Sequence, residues 1–260
     1  ARLDGATAAY PIYASAFYAL SVLPEDFHEW EYLANSRTPE AYNKIVKGNA
    51  DIIFVAQPSG GQKKRAEESG VTLIYTPFAR EAFVFIVNVD NPVNSLTEQQ
   101  VRDIFSGAIT NWRTVGGNDQ EIQTWQRPED SGSQTVMQSQ VMKNVRMISP
   151  QETEVASMME GMIKVVAEYR NTNNAIGYTF RYYATQMNAD KNIKLLAING
   201  IAPTAENIRN GKYPYIVDAF MVTRENMTSE TQKLVEWFLT PQGQSLVEDV
   251  GYVPMYKTLH

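Results

Sequence analysis

Short apolar runs alternate with amphipathic segments along most of the chain. Each run is rich in β-branched or aromatic residues and is bounded by turn-forming residues, a pattern that predicts a strand. The predicted strands lie at residues 51–54, 72–75, 83–87, 122–125, 175–178, 194–197 and 215–222. Because the segments between them carry helix-start signals, the alternation predicts an α/β fold.

Capping residues mark several of the helix starts. Thr38 is followed by Pro39, and this order predicts that Thr38 caps a helix whose first residue is the proline. Residues 97–100 and 149–152 have the spacing of capping boxes, and Thr240 with Pro241 predicts the start of the C-terminal helix.

The chain shows no internal repeat, no low-complexity tract and no Gly/Ser-rich or Pro-rich linker. Its 260 residues fit one large domain or two domains of roughly 130 residues each. If there are two, the missing linker indicates that the chain crosses between them on ordered strands, at residues 75–83 and 213–219. The predicted division is then a first lobe of residues 1–78 plus 219–260 and a second lobe of residues 79–218.

Composition narrows the possible functions. The formal charge of −6 argues against a nucleic-acid-binding protein, which usually carries a basic face. The absence of cysteine excludes disulfide scaffolds and thiol chemistry, and no apolar run reaches the roughly 18–20 residues that span a bilayer. The chain enters a structured pattern directly after Ala1, so we expect any export signal to have been removed.

Residues 127–133, which we call the anion motif, carry the clearest chemical signal. Arg127 offers the fixed donors of a guanidinium, Ser131 and Ser133 offer hydroxyls, and Gly132 lets the backbone approach a ligand closely. An ordinary helix is predicted to start straight afterwards, and its amides and dipole would favour the same anion. The motif brings no nucleophile-activating base and no metal ligand, so it indicates binding rather than catalysis. The plainer alternative is a surface ion pair between Arg127 and Glu129.

Three further segments place small donors near a strand end or a helix start. The first loop, residues 4–8, contains Thr7 and Ala8; the second loop, residues 35–39, contains Thr38; the third loop, residues 56–61, contains Gln57. The plainer alternatives are a turn with a helix cap for the first loop, a helix cap for the second and a mere turn for the third. Together with the anion motif they resemble the ligand crevice of an open α/β sheet.

No set of catalytic residues competes with this interpretation. The two histidines, His28 and His260, lie in polar or terminal positions, and the sequence contains no G-x-S-x-G elbow. It also contains no H-E-x-x-H motif, EF-hand, zinc spacing or P-loop, so we expect no cofactor and no metal. A phosphate-ester hydrolase is therefore the least favoured hypothesis.

At this point the chain resembles a known family, the substrate-binding proteins of bacterial phosphate ABC transporters, which have the type II periplasmic-binding-protein fold. The similarity runs nearly end to end. The segments that carry it, in order, are residues 5–7, 50–52, 104–112, 127–133, 175–178, 239–244 and 251–254.

The resemblance implies two lobes, joined by two crossover strands, that close on a dehydrated phosphate in the cleft between them. It assigns Thr7, the amide of Ala8 and the hydroxyl of Thr38 to the ligand from the first lobe. From the second lobe it assigns Arg127, Ser131, Gly132 and Ser133, with Glu129 orienting the arginine. It further implies a monomer outside the cytoplasm, in the periplasm or as a membrane-anchored lipoprotein, that delivers phosphate to a membrane permease.

One position departs from the family pattern. Members frequently place an aspartate or serine just after the strand that starts at Asp51, and the aspartate accepts the proton that phosphate carries and sulfate lacks. Here that place is Ala56 or Gln57, depending on a one-residue shift, and the Gln57 carbonyl is the remaining acceptor. Phosphate is the leading ligand, with sulfate or another tetrahedral oxyanion as an alternative. A sensor or interaction domain of the same fold is the alternative function.

Overall fold

The computed structural model describes residues 1–23, 25–143, 145–150, 159–168 and 174–259. The chain forms two compact units. Unit 1 comprises Ala1–Arg80, Asp130–Gly132 and Asp218–His260, and unit 2 comprises Glu81–Glu129 and Ser133–Val217. Among the helices of the described ranges, none combines the length and the apolar character needed to cross a bilayer.

The regular elements follow one another in mixed order along the chain. Strands β1 to β10 are Leu3–Gly5, Ile52–Val55, Leu73–Asn88, Ser95–Leu96, Gln123–Thr124, Ala175–Phe180, Ile193–Leu195, Ala197–Ile198, Ile216–Arg224 and Val253–Pro254. Helices α1 to α9 are Tyr10–Leu20, Arg37–Lys47, Gly60–Glu68, Glu98–Ser106, Gly132–Val136, Met159–Glu168, Ala205–Arg209, Ser229–Leu239 and Pro241–Val250. Short 3-10 turns lie at Thr7–Ala9, Glu29–Glu31 and Trp112–Val115, and π-helical segments lie at Met137–Met142 and Tyr183–Met187.

The sheet of unit 1 is mixed. Strand β1 pairs with β2 in parallel, β2 pairs with β9 in antiparallel, and β10 pairs with β3 in antiparallel. All four residues of β2 are buried, as expected for a strand covered on both faces. The continuous apolar run that predicted this strand is therefore explained by its complete burial.

The core of unit 1 combines an amphipathic helix with an aromatic cluster. Helix α2 buries Ala41, Tyr42 and Ile45 at helical spacing against the sheet. Phe54 of β2 stacks on Tyr13 of α1, with ring centroids 4.9 Å apart, and meets Phe238 of α8 at 5.3 Å. These contacts fix α1 and α2 beside β1 and β2, where the predicted donor loops begin.

Unit 2 has its own mixed sheet and core. Strand β3 pairs in antiparallel with β6 and with β7, β5 runs parallel to β6, and β4 pairs with β8 in a separate two-stranded sheet. Phe83, Phe85, Phe105 and Tyr178 are buried, and their ring centroids lie 5.5–6.4 Å apart in the contacting pairs. The sheets and their covering helices confirm the predicted α/β class.

Several predicted strands differ in extent from those observed. The predicted strands at residues 72–75 and 83–87 are parts of one strand, β3, which runs through Pro77 and passes from unit 1 to unit 2 after Arg80. The predicted strand at residues 194–197 is divided between β7 and β8. The break follows from hydrogen bonding, because Leu196 N–H still donates to Phe85 of β3, whereas Ala197 N–H donates to Asn94.

The predicted helix starts are confirmed at two positions. Thr97 caps α4 in a complete capping box with Gln100, and Thr240 caps α9 with Pro241 in its first turn. The capping box predicted at residues 149–152 lies partly outside the described residues.

Candidate functional site

The first loop carries the chain from β1 into a helix. Ala6 is extended, its N–H donates to the carbonyl of Phe54 at 2.9 Å, and the 3-10 turn Thr7–Ala9 leads directly into α1. Thr7 is partly buried and Ala8 is 5% exposed. The structure therefore places Thr7 and the amide of Ala8 at a helix entrance, where N–H groups have no intrahelical partner.

The second loop corrects one prediction. Helix α2 begins at Arg37 and Ser36 precedes it, so Thr38 lies inside the first turn instead of capping the helix. The cause is a tertiary interaction: the buried carboxylate of Asp4 accepts hydrogen bonds from the N–H of Ser36 at 2.8 Å and of Gly5 at 2.7 Å. Lys44 lies 3.0 Å from the other carboxylate oxygen. Thr38 is 5% exposed, and its N–H belongs to the first turn, where amides have no intrahelical acceptor.

The third loop follows β2. Ser59 caps α3, with its Oγ accepting from Gln62 N–H at 3.0 Å while the Gln62 side chain accepts from Ser59 N–H at 2.9 Å. The end of this loop is therefore a helix cap, which the sequence did not predict. Gln57 is partly buried and precedes the cap by two residues.

Tyrosine hydroxyls bind a carbonyl in or beside each of these loops. Tyr252 donates to the carbonyl of Ala8, Tyr13 to Ala34 at 2.6 Å, and Tyr42 to Ala56 at 3.1 Å. Burial raises the pKa of Tyr13 and of Tyr42, so both remain protonated donors. Engaging these carbonyls reduces the local negative potential that would oppose an anion at the neighbouring amides.

The middle of the anion motif, Asp130–Gly132, packs within unit 1. A Cβ on Gly132 would lie 3.2 Å from Thr38 Oγ1 and 3.6 Å from the Ala56 Cβ, closer than a side chain is normally accommodated at the hydroxyl. The structure therefore brings Gly132, Thr38 and Ala56 together. The side chain of Ala56 therefore lies beside the motif.

Arg127 is held by its backbone in unit 2. Its N–H donates to the hydroxyl of Tyr178 at 3.0 Å and to Gln134 Oε1 at 3.3 Å, and Tyr178 itself donates to Gln134. Burial raises the pKa of Tyr178, which keeps its hydroxyl protonated. Arg127 as a whole is only 8% exposed, an unusual degree of burial for an arginine.

The hydroxyls of the motif are also buried. Ser131 is 7% exposed and Ser133 is 1% exposed. Within the described part of the chain, no group accepts from or donates to the buried Oγ of Ser133. Glu129 accepts from Gln138 Nε2 at 3.0 Å. The helix that follows is ordinary only over α5, because it continues as the π-helical segment Met137–Met142, so the prediction of an ordinary helix is wrong beyond Val136.

The surroundings of Arg127 are locally positive in spite of the net charge of −6. A cavity of about 610 Å³ in unit 2 has Arg127, Lys143, Arg146 and Glu129 as its charged lining residues, three cations and one anion. In the described ranges, no cluster of acidic or histidine side chains could hold a metal ion. The chemistry available is thus that of hydrogen-bond donors and positive charge.

Sequence reasoning missed the residues that hold the loops in place. Their side chains contact the loops or the anion motif, most of them from outside the loop that they hold: Asp4, Tyr13, Tyr42, Lys44, Gln134, Tyr178 and Tyr252. Gln134 and Tyr178 could have been suspected, since one adjoins the anion motif and the other ends a segment that carries the family resemblance. Tyr252 lies in another such segment, whereas Tyr13 and Tyr42 look like ordinary core residues in an apolar pattern.

The chain is similar in sequence and in fold to known proteins. A PBP superfamily domain matches residues 1–242. The phosphate-binding protein PstS of Bacillus subtilis is 27% identical over 209 residues, covering 80% of this chain and 64% of the relative, and PstS of Borreliella burgdorferi is 26% identical over 218 residues, covering 82% and 74%. The chain therefore spans about two thirds to three quarters of the length of these relatives. A Clostridium perfringens crystal structure, described as a putative phosphate ABC transporter substrate-binding protein with bound phosphate, has a TM-score of 0.76 at 22% identity and 98% coverage of both chains.

Proposed function

The chain belongs to the PBP superfamily, and from that membership we propose that it reversibly captures inorganic phosphate, or a similar tetrahedral oxyanion, for a membrane ABC transporter. Phosphate is the proposed ligand because relatives that cover most of the chain are named phosphate-binding proteins. The chemistry of the anion motif supports the same class of ligand, since a guanidinium and short hydroxyls suit the oxygens of a small oxyanion.

The burial of Arg127 and Ser133 carries the proposal. Arg127 is 8% exposed, and a positive charge with so little water around it attracts an anion more strongly than a surface charge does. Ser133 is 1% exposed, and its Oγ, to which no described residue hydrogen-bonds, is a donor that an anion would satisfy. We therefore assign Arg127, Ser131, Gly132 and Ser133 to the anion, with Glu129 as the residue that orients the arginine.

Unit 1 contributes neutral donors in this proposal. They are the hydroxyl of Thr7, the amide of Ala8, the hydroxyl and amide of Thr38, and Ser131 and Gly132 of the anion motif, which belong to unit 1. Micromolar affinity corresponds to about −8 kcal/mol. Several charge-assisted hydrogen bonds at roughly 1.5–3 kcal/mol each are sufficient for it after the costs of ordering.

The alanine at position 56 sets the expected selectivity. Its methyl group adjoins Gly132, which also approaches Thr38, and a carboxylate in that place would accept the proton of phosphate and repel sulfate. Gln57 can accept through its carbonyl, but its amide can also turn to donate. We therefore propose that this protein discriminates between phosphate and sulfate only weakly.

A thermal-shift panel with phosphate, sulfate, molybdate and chloride tests the ligand class. An anion at about 100 times its dissociation constant adds about 2.7 kcal/mol to the free energy of unfolding. For a protein of this size, that raises the thermal midpoint by several degrees, at roughly 2–4 °C per kcal/mol. The proposal expects such a rise with phosphate, a smaller but measurable rise with sulfate, and none with chloride. Equal midpoints in all four salts would refute it.

We propose delivery to a permease, outside the cytoplasm, as the physiological role, and binding without catalysis. The direct test is uptake of radiolabelled phosphate at micromolar concentration by cells that lack the gene. Uptake should fall and should recover with the parent gene but not with an Arg127→Ala allele. Unchanged uptake would separate phosphate binding from transport and favour a sensing role.

A further inference from the structure

The anion motif is fastened to unit 1 by a cluster that forms around Asp130. Its carboxylate accepts from Ser59 Oγ at 2.5 Å and from Arg65 Nη2 at 2.8 Å, and its carbonyl accepts from Gln62 Nε2 at 3.0 Å. We call Ser59, Gln62, Arg65 and Asp130 the Asp130 cluster. It uses the cap residues of α3 for a second purpose, because Ser59 and Gln62 also form the capping box of that helix.

The position of this short segment depends on such contacts. Asp130–Gly132 belongs to unit 1, whereas Glu129 before it and Ser133 after it belong to unit 2. Three residues contribute little packing of their own, so directional hydrogen bonds must hold them. The backbone supports this interpretation, because Asp130 has a φ of +65°, a left-handed conformation that is uncommon for residues other than glycine and is kept only where surrounding contacts enforce it.

The cluster keeps the carboxylate of Asp130 ionised. Desolvation by partial burial opposes the charge, but the hydrogen bonds from Ser59 and Arg65 and the charge of Arg65 outweigh it and hold the pKa of Asp130 below its ordinary value. Asp130 is therefore committed to Ser59 and Arg65 at neutral pH. Each of its carboxylate oxygens accepts a hydrogen bond from a donor of the protein itself.

We propose that Asp130 is a positioning residue for anion binding: by binding Ser59 and Arg65 it holds Ser131 and Gly132 against Thr38 and Ala56, where the motif meets the anion. Gly132 adjoins Thr38 Oγ1 closely enough that a shift of a few tenths of an ångström would alter their relative position. Hydrogen bonds to an oxyanion are sensitive to shifts of this size. This inference rests on the proposed function, since it concerns the geometry of the same site.

The test compares Asp130→Asn with the parent by calorimetric titration with phosphate. Asparagine keeps the size and tolerates the left-handed backbone but loses the charge that binds Arg65. We expect affinity about tenfold lower, with the thermal midpoint in phosphate-free buffer within about 2 °C of the parent. Glu68→Gln is the matched control on α3, because Glu68 forms an exposed ion pair with Lys64, and it should bind like the parent.

Arg65 provides an independent route if Asp130→Asn fails to fold. Arg65→Gln should lower the affinity severalfold, and Arg65→Lys, which keeps the charge, should restore most of it. The double variant of Asp130→Asn and Arg65→Gln should lose no more affinity than the worse single variant, because both remove one interaction. If the double variant instead loses the summed affinity of the two single variants, Asp130 and Arg65 do not act through one interaction, and the proposed cluster is wrong.

The two proposals fail in different ways. If the parent binds phosphate and Asp130→Asn binds it equally well, the positioning role is wrong and the proposed function stands. If affinity and the phosphate-free midpoint fall together, with no rescue by Arg65→Lys, Asp130 has a structural role only and the inference is overturned. If the parent binds no oxyanion at all, the proposed function fails and the positioning role fails with it.

Discussion

The two units treat buried charge differently. Unit 1 pairs its buried Asp4 with Lys44 and its partly buried Asp130 with Arg65, so these two cations are committed to carboxylates of the same unit. In unit 2, Arg127 is buried, and its backbone N–H donates to Tyr178 and Gln134. In the proposed assignment, the residues of unit 1 offer neutral hydroxyls and amides, whereas those of unit 2 offer the guanidinium of Arg127 and the hydroxyl of Ser133.

Replacing Arg127 should remove the contribution of unit 2 and have the largest effect. Arg127→Ala deletes the charged donor of the anion motif, and phosphate affinity should fall by at least about 100-fold, since two charge-assisted hydrogen bonds are each worth roughly 1.5–3 kcal/mol. Arg127→Lys keeps the charge but not the planar fork, so its affinity should be intermediate. Calorimetry provides the measurement, with the exposed Arg113→Ala as a control that binds normally. Binding by Arg127→Ala within twofold of the parent would show that the charge comes from elsewhere.

Replacing Gly132 with alanine should displace the donors of Thr38 and those of the anion motif at the same time. The added methyl group of Gly132→Ala would lie 3.2 Å from Thr38 Oγ1, so Thr38 and the motif must separate slightly. We expect about tenfold weaker phosphate binding, on the order of 1.4 kcal/mol. Gly60→Ala is the matched control, because a Cβ there meets no described atom within 4 Å. Equal affinities for the two variants would mean that the close approach is not needed for binding.

The neutral donors of the two units can be compared by removing one hydroxyl group from each, that of Ser133 in unit 2 and that of Thr38 in unit 1. Ser133→Ala and Thr38→Val should each lower phosphate affinity about tenfold, because a hydrogen bond from a neutral hydroxyl to a charged phosphate is charge-assisted and worth roughly 1.5 kcal/mol or more. Ser133→Ala should not lower the anion-free thermal midpoint, because no described residue hydrogen-bonds to its buried Oγ. Ser106→Ala, whose hydroxyl donates to a carbonyl within α4, serves as the control. If Ser133→Ala lost as much affinity as Arg127→Ala, the charge of Arg127 would not be the largest contribution to binding.

The buried carboxylate of unit 2 contrasts with the paired carboxylates of unit 1. Glu81 accepts hydrogen bonds from the N–H groups of Ala82 and Tyr182, and burial raises its pKa to about 7 even though the charge of Arg181 acts in the opposite direction. In the unfolded chain this carboxyl group ionises near 4.5, its ordinary value. Between pH 4.5 and about 7, Glu81 is therefore protonated in the folded protein and ionised in the unfolded chain. The stability due to neutral Glu81 is present below pH 4.5 and is lost as the pH rises through about 7.

Glu81→Gln should remove that pH dependence. The thermal midpoint of the variant minus that of the parent should rise by several degrees between about pH 5 and pH 8, with phosphate affinity at about pH 7 unchanged. Scanning calorimetry across this pH range provides the measurement. A difference that stays constant with pH would mean that Glu81 is ionised throughout.

The features confirmed from the sequence are local, and those that were missed are tertiary. The capping residues of α4 and α9 are predicted from a few neighbouring residues, and both are confirmed. The anion motif is equally local, since its donor types and glycine lie within seven consecutive residues, and its binding role stays a prediction. By contrast, Ser36 and Thr38 are both good cap residues, and only the contact from Asp4 decides where α2 begins. No local pattern contains that contact, which spans 32 residues.

Two other differences have the same origin. Pro77 would normally end a central strand because it cannot donate a hydrogen bond, yet β3 runs through it. Tyr13 and Tyr42 fit an apolar helix face, so their hydroxyl groups, which bind loop carbonyls, were hidden within the pattern that predicted a core. The spacing of aromatic residues predicts which side chains are buried. It does not predict which group forms a hydrogen bond with the hydroxyl of a buried tyrosine.

Calorimetric titration of the purified protein with phosphate, after dialysis to remove bound anion, is the decisive experiment for the oxyanion site. We expect one site per chain with micromolar or tighter affinity, sulfate binding at the same site, and loss of both heats in Arg127→Ala. The contradicting result is that neither anion gives binding heat and neither changes the thermal midpoint. Arg127 and the donors around it would then not form an oxyanion site.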